Sequence, residues 1–188
     1  MRTGMIRLVL GAAILSTGLA GVASLPGCHT APKDDAGKQE MTEKVDATLA
    51  KAKTQDSTLE AFLGKAYGYA VFPKVGKGAV GVGGAYGKGQ VFEQGKRVGY
   101  CDLSQATIGL ALGGQTYTEI IAFENKEALD KFRHGGLKFA AQMTAVALQS
   151  GAALNAKYND GVSVMTMGEK GLMAEASVGG QTFTYQPM

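Results

Sequence analysis

The sequence predicts an α+β fold in which N-terminal helices pack on a curved, glycine-rich antiparallel β-sheet or a partly rolled barrel. Apolar residues recur with helical spacing up to about residue 66 and with a period of two from Tyr67 onward. Glycine accounts for 28 of the 188 residues, which is about twice its usual share. Proline is rare, with 4 residues, so collagen-like and proline-rich architectures are excluded.

Two helices are predicted before the sheet. The first spans about 40–53, and its apolar face consists of four residues at helical spacing: Met41, Val45, Leu49 and Ala52. Ser57 and Glu60 have the spacing of a capping box, and the apolar residues within 59–66 predict a second, short helix after it. We expect both helices to dock on the core of their own domain rather than on a membrane, since this is the commoner use of an amphipathic helix.

Most of the remaining chain is predicted to form strands. Alternating residues predict strands over the following ranges: 69–72, 78–86, 98–103, 107–112, 115–123, 162–164 and 172–178. Asn125 is placed to cap a short helix, and Asn159-Asp160-Gly161 is a hairpin signal. The segment 137–149 fits both a strand and a helix, and its alternation favours the strand. An antiparallel sheet follows from this pattern.

Paired glycines recur inside the predicted strands. Residues 113–118, GGQTYT, are echoed by residues 179–184, GGQTFT, and Gly83-Gly84 begins a partial third copy. A paired glycine in a strand marks a bulge, a sharp bend or a close crossing of backbones. A shared ligand groove is the alternative explanation. We favour curvature of the sheet.

The first 27 residues have the order of a secretory signal peptide. Arg2 and Arg7 precede an apolar run that extends to about residue 25, and no acidic residue is present. The run ends in Leu25-Pro26-Gly27-Cys28, which resembles the bacterial lipobox, although Pro26 departs from the usual small residue. We therefore expect an exported chain with a signal peptide over 1–27, a lipidated flexible tether over 28–38 and a single domain over 39–188.

Cys28 is the expected site of lipidation and the expected membrane contact. A triacylated cysteine is a lasting anchor because each buried methylene contributes about 0.8 kcal/mol. His29 follows Cys28, and by analogy with lipoprotein sorting this predicts the outer membrane of the cell envelope. The alternative use of Cys28 is a disulfide bond with Cys101, the only other cysteine, across 72 intervening residues.

The charge distribution points away from nucleic acid. Without Arg2 and Arg7 the chain has 17 basic and 16 acidic residues, a balance of +1. Residues 61–100 are the exception, with 6 basic and 1 acidic side chains. This block is either a surface that meets phosphate headgroups or a set of ordinary solvated charges that protect strand edges from aggregation.

No pattern for catalysis, a cofactor or a metal ion is present. The GKGAVG segment at 76–81 formally matches a dinucleotide fingerprint, but strand and further glycines follow it where a helix is needed. His29 and His134 are the only histidines and are far apart in sequence, which leaves no zinc cluster and no base for a nucleophile. Glu124 and Glu127 lie at a predicted helix start, where carboxylates favour the helix dipole. The sequence therefore predicts a non-enzyme without cofactors.

Residues 70–89, AVFPKVGKGAVGVGGAYGKG, resemble the signature block of the SYLF (YSC84-related) family. The segments 109–115 and 171–181 are similar to that family's central and closing blocks, so the resemblance covers about 58–185. It implies a lipid-binding domain, which recognises phosphoinositides in eukaryotic members and also actin in some fungal members. For a bacterial member it implies affinity for anionic phospholipid. The headgroup contacts expected from the matching block are Lys74, Lys77 and Lys88, and charge alone adds Lys96 and Arg97.

These observations lead to one leading hypothesis and two alternatives. The leading hypothesis is a lipid-anchored envelope protein that binds anionic phospholipid headgroups through its basic, glycine-rich block without catalysis. The second is a structural or scaffolding lipoprotein that binds another envelope protein or a cell-wall component. The third is an uncharacterised hydrolase. Basic residues that converge on one face would favour the first hypothesis, and scattered lysines beside an exposed apolar patch would favour the second.

Overall fold

The computed structural model describes residues 30–80, 82–108, 113–139, 144–168 and 176–188. The predicted signal peptide and Cys28 lie outside these ranges, as do the strand residues predicted at 109–112 and 172–175. In chain order the elements are α1 (Asp35–Gln55), α2 (Leu59–Lys65), β1 (Gly68–Val80), β2 (Val82–Glu93), β3 (Lys96–Ile108), β4 (Gly113–Phe123), α3 (Lys126–Arg133), β5 (Thr144–Ala147), a 3₁₀ turn (Ala153–Asn155), β6 (Val162–Gly168), β7 (Ala176–Ser177) and β8 (Gln181–Pro187).

The predicted fold class is confirmed: helices pack on a curved sheet that does not close. Its strand order is β7-β5-β6-β4-β1-β2-β3-β8. The prediction of a purely antiparallel sheet is wrong at one pair, because β5 and β6 are parallel. The connection between them holds the 3₁₀ turn and crosses over, whereas a tight hairpin would have made them antiparallel.

Helices pack on both faces of the sheet, and an apolar core lies between the sheet and the helices on each side. On one side, here called the helix face, α1 and α2 pack on the sheet through residues that include Val45, Leu59, Val71, Ile120 and Met165. On the other side, here called the inner face, α3 packs on a core that includes Phe72, Phe123, Phe132, Phe139 and Phe183. The alternation of side chains along each strand divides the apolar residues between these two cores.

Curvature brings distant strands together across the inner face. The side chain of Gln181 on β8 donates to the carboxylate of Glu119 on β4, at 2.9 Å, although three strands separate β4 from β8 in the sheet. Such a contact requires a sheet that bends back toward itself.

Helix α1 is longer than predicted. It spans Asp35–Gln55 rather than 40–53, and its N-cap is Asp34, whose side chain accepts from the amide of Gly37 at 2.8 Å. The last residues of the predicted tether are therefore helical. Apolar periodicity could not reveal this first turn because it is exposed and polar. Within the described ranges, no helix combines the length and apolar character needed to cross a membrane.

Helix α2 exists as predicted but is capped differently. Its expected cap was Ser57, whereas the observed N-cap, Thr58, makes no capping bond with its side chain. The buried carboxylate of Asp56 instead accepts from the backbone N–H and the hydroxyl of Thr58, at 2.9 and 2.6 Å. Two later predictions are confirmed: Asn125 caps α3, and β5 lies inside the ambiguous segment 137–149. The predicted bounds of strand 78–86 are wrong, because β1 ends at Val80 and β2 begins at Val82.

A close crossing of backbones explains one glycine of the 70–89 block. The register of β1 and β2 shifts between Val71 and Lys74, so that Gly89 lies opposite the irregularity that contains Pro73. A Cβ on Gly89 would lie 2.2 Å from the carbonyl oxygen of Val71. Within the described part of the chain, a Cβ on Gly76 would meet no heavy atom within 4 Å. The two glycines thus occupy opposite environments in one block.

We expect Gly89→Ala to lower the free energy of unfolding by about 3 kcal/mol, because a backbone oxygen cannot move aside as a flexible side chain can. Gly76→Ala is the matched control and should change stability by no more than about 0.5 kcal/mol. Urea unfolding followed by circular dichroism measures both, since the chain has no tryptophan. Equal stability of the two variants would contradict the crossing.

Candidate functional site

A row of polar residues crosses four adjacent strands on the helix face. Lys74 on β1 lies opposite Lys88 on β2, Lys88 lies opposite Asp102 on β3, and Asp102 lies opposite Thr184 on β8. Directly opposite residues of paired strands share a face of the sheet. Lys74 is exposed, Lys88 is half-buried and Asp102 is buried. This polar row joins the 70–89 block to the last strand of the chain.

Helix α1 lies beside the lysine end of the polar row and completes a groove. The groove has a volume of about 350 Å³. Its lining, here called the basic groove, consists of Met41, Lys44, Pro73, Lys74, Gly76, Tyr86, Gly87 and Lys88. Three ammonium groups thus border one concavity, and the side chains of Met41, Pro73 and Tyr86 supply its apolar surface.

The electrostatics of the basic groove are predominantly positive. Lys44 forms an ion pair with Glu40 at 2.6 Å, and both side chains are well exposed, so this pair is weak. Burial raises the pKa of Asp102, while the charge of Lys88 and hydrogen bonds from Thr30 and Tyr86 act in the opposite direction. The charged residues that line the groove itself are three lysines, and Asp102 is not one of them. The groove is therefore suited to an anion.

Lysine side chains can bind an anion such as a phosphate group. An ammonium group is a compact charge with three donors on a flexible stem, and it binds phosphate as a point charge without a fixed geometry. The apolar part of the lining can contact carbon atoms next to such an anion. Among the described residues, no three His, Cys, Asp or Glu side chains are grouped so that they could hold a metal ion.

The structure brings together only two of the five predicted basic contacts. Lys74 and Lys88 line the basic groove. Lys77 is an odd number of residues from Lys74 in a regular part of β1 and therefore points to the inner face. Lys96 is exposed at the start of β3, opposite Glu93. These positions separate Lys77 and Lys96 from the groove.

Arg97 has a contact set of its own with helix α1. Its guanidinium group pairs with Asp46, donates to Gln90 at 3.1 Å and lies over the ring of Phe92, 5.1 Å from its centre. Gln90 in turn donates to Thr42 at 3.1 Å. Arg97 therefore connects β3 with α1, and this connection positions Lys44 above the strands.

Lys44 is the groove residue that sequence analysis missed. It belongs to a segment with more acidic than basic residues, so regional charge gave no reason to select it. Helical spacing could have pointed to Lys44. It lies three residues after Met41 and is therefore close to the apolar face of the helix. The docking of α1 over β1 and β2 then determines that this lysine meets the two strand lysines.

A second polar cluster is buried on the inner face. Glu119 and Gln181 are fully buried, and burial raises the pKa of Glu119 to about 8, against a smaller opposite effect of hydrogen bonds from Gln181 and Tyr117. One oxygen of Glu119 has no hydrogen-bond partner within the described residues. Cys101 on β3 is also buried, and burial raises the pKa of its thiol, which opposes nucleophilic chemistry.

Comparison with known proteins agrees with the signature block. The Ysc84 family, described as a Las17-binding protein actin regulator, matches residues 104–187. Beta cell expansion factor A from Aeromonas veronii is 31% identical over 140 residues, which cover 73% of this chain and 53% of that protein. The chain thus spans about half the length of this curated relative. Together with the 70–89 block, these matches show that the chain belongs to the SYLF (Ysc84) family.

Proposed function

We propose that this protein is an exported, lipid-anchored protein of the bacterial envelope whose basic groove binds the headgroups of anionic phospholipids. Cys28 is its acylation site, and the outer membrane is the proposed location. The protein acts by binding and not by turnover. The observation that carries the proposal is the convergence of Lys44, Lys74 and Lys88 on one groove of about 350 Å³.

The strength of such a site follows from simple electrostatics. A basic residue close to an anionic membrane contributes about 1 kcal/mol, and this contribution is screened within a Debye length of about 8 Å at physiological salt. Three lysines together support a weak, salt-sensitive affinity. An acyl anchor on the same chain would raise the occupancy of a weak site because binding becomes intramolecular.

Replacing the three groove lysines with glutamate should abolish binding to anionic vesicles. We expect Lys44→Glu, Lys74→Glu and Lys88→Glu together to weaken membrane partitioning by about 100-fold or more, since each substitution removes an attraction and adds a repulsion. Residues 29–188, which include every described residue, are sedimented with vesicles of phosphatidylcholine alone and with vesicles that also contain phosphatidylglycerol. Salt should weaken the binding of the unchanged domain.

The matched control carries the same change of charge away from the groove. Lys51→Glu, Lys138→Glu and Lys157→Glu alter three exposed lysines that do not line the groove. We expect this control to retain clearly more binding than the groove variant. If both triple variants lost binding equally, net charge and not the groove would explain the interaction. If the unchanged domain bound neither vesicle, the headgroup proposal would fail.

A further inference from the structure

The chain just after Cys28 is bound to the sheet at the far end of the polar row. The hydroxyl groups of Thr30 and Thr184 are hydrogen-bonded at 3.2 Å, and Thr30 also bonds the carboxyl group of Asp102. The amide of Ala31 donates to the side chain of Gln186 at 3.1 Å, and Ala31 is only 9% exposed. The segment that the sequence predicts to be a flexible tether therefore begins with residues docked on β3 and β8.

This docking shortens the connection between the proposed anchor and the domain. Helix α1 already begins at Asp35, so little free chain is left after Ala31. Only His29 lies between Cys28 and Thr30 in sequence, and two consecutive Cα–Cα steps reach at most about 7 Å. An acyl chain on Cys28 would thus enter the membrane next to Thr184.

The basic groove lies close to that point. Thr184 and Lys74 are at the two ends of a row that crosses four adjacent strands. Neighbouring strands are about 4.8 Å apart, so the backbones of these two residues are about 14 Å from each other. The distance from the proposed anchor to the groove is therefore comparable with the width of a few lipid headgroups.

Exposed hydroxyl groups lie beside the Thr184 end of the polar row, although Asp102 within the row is itself buried. Ser104 and Thr182 form a second pair on the same face, with their hydroxyl groups 3.0 Å apart, and both residues are exposed. Hydroxyl groups can exchange hydrogen bonds with phosphate and glycerol oxygens. No docking of an apolar surface is needed for this face to lie at the level of the headgroups.

We propose that this side of the domain, with Thr184 and the basic groove, faces the leaflet that carries the acylated Cys28. The basic groove then meets headgroups of that same leaflet and does not reach across to a second membrane. This inference rests on the proposed acylation of Cys28 and extends the proposed headgroup binding by assigning its membrane. Tethering at this distance keeps the local concentration of headgroups high, so a weak groove is sufficient.

The test measures which side of the domain is close to the lipids. The full chain is produced in bacteria with its own signal peptide, its acylation is verified by mass, and it is reconstituted in vesicles of phosphatidylethanolamine and phosphatidylglycerol with a nitroxide on a fraction of the headgroups. A fluorophore is attached at Ser104→Cys or, as the control, at Lys131→Cys. Lys131 is exposed on α3, on the opposite side of the sheet. Cys101 is fully buried and should remain unlabelled.

We expect the fluorophore at position 104 to be quenched several-fold more strongly than the one at position 131. Equal quenching at the two positions, or stronger quenching at position 131, would overturn the proposed orientation. The same measurement is repeated with Lys44→Gln, Lys74→Gln and Lys88→Gln in both labelled chains. In these variants the groove no longer attracts headgroups, but the short connection to Cys28 still holds this side of the domain near the leaflet. The difference in quenching between positions 104 and 131 should therefore persist.

Two further results separate this inference from the headgroup proposal. If the groove has no affinity for lipid, residues 29–188 will not sediment with vesicles, yet position 104 will still be quenched in the full chain. An insertion of about 20 Gly and Ser residues between His29 and Thr30 frees the anchor from the sheet. In the lysine-to-glutamine background this insertion should remove the difference between positions 104 and 131. A difference that survives it would overturn the role of the short connection.

Discussion

Glu119→Gln is expected to stabilise the protein by about 4 kcal/mol at pH 8. The carboxyl group of Glu119 is fully buried, and its pKa is about 8 against an ordinary value of 4.5. The unfolded chain ionises this group freely above pH 4.5, whereas the folded chain must keep it protonated or hold a buried charge. Glutamine has the same shape, carries no charge and can still accept the hydrogen bond from Gln181.

The difference in stability between the unchanged protein and Glu119→Gln should depend on pH. The protonated Glu119 side chain contributes to the free energy of unfolding. This contribution is fully present below pH 4.5 and is lost progressively as the pH rises toward 8. The unchanged protein should therefore lose stability across this range relative to Glu119→Gln. Urea unfolding by circular dichroism at several pH values between 4 and 9 measures the difference. Parallel curves for the two proteins would show that Glu119 is not a buried acid.

Asp56→Ala should have a comparably large effect of the opposite sign and lower the free energy of unfolding by about 3–5 kcal/mol at pH 7. The Asp56 carboxylate accepts from Thr58 beside it in sequence and from the amides of Gly151 and Ala153, at 3.1 and 2.7 Å. Alanine would leave these donors unpaired in a buried site. The bonds also tie the residues just before α2 to Gly151 and to the first residue of the 3₁₀ turn, Ala153, which follow 95 and 97 residues later in the chain.

The response of this substitution to acid distinguishes a charge effect from a simple loss of packing. Burial acts to raise the pKa of Asp56, but the hydrogen bonds from Thr58, Ala153 and Gly151 outweigh it and hold the pKa below the ordinary 3.8. Asp56 therefore stabilises the fold above pH 3.8, and this stability is lost as the pH falls further. The cost of Asp56→Ala should shrink at pH 2–3. Ser57→Ala, an exposed neighbour, is the control and should be nearly neutral.

The two buried carboxyl groups also show how far sequence reasoning reaches. Nothing in the sequence around Asp56, between Gln55 and Ser57, or around Glu119, between Thr118 and Ile120, shows which donors each carboxyl group will meet. Asp56 meets three backbone amides that arrive from its own turn and from a loop far along the chain. Glu119 meets the side chain of Gln181 across a bent sheet. Only the tertiary arrangement of donors decides which group is stabilised as an ion.

The sequence of the glycine-rich 70–89 block predicted close backbone packing but not the residue at which it occurs. The sequence indicated a strand-forming region in which something packs closely, and Gly89 meets the carbonyl oxygen of Val71. Gly76 and Gly78 belong to the same block, yet within the described residues a Cβ at either would meet no heavy atom within 4 Å. Glycine content predicts that backbones cross in a region. The register of the paired strands decides at which residue they cross.

The sequence by itself determined the class of fold, the family and the two strand lysines of the candidate site. These depend on periodicity and on a contiguous signature, which are local properties of the chain. The tertiary structure alone decided that Lys44 joins Lys74 and Lys88, that Lys77 faces the other side, and that Thr30 is docked beside the polar row. Each of these depends on strand pairing and helix docking between residues far apart in sequence, and no local pattern encodes such contacts.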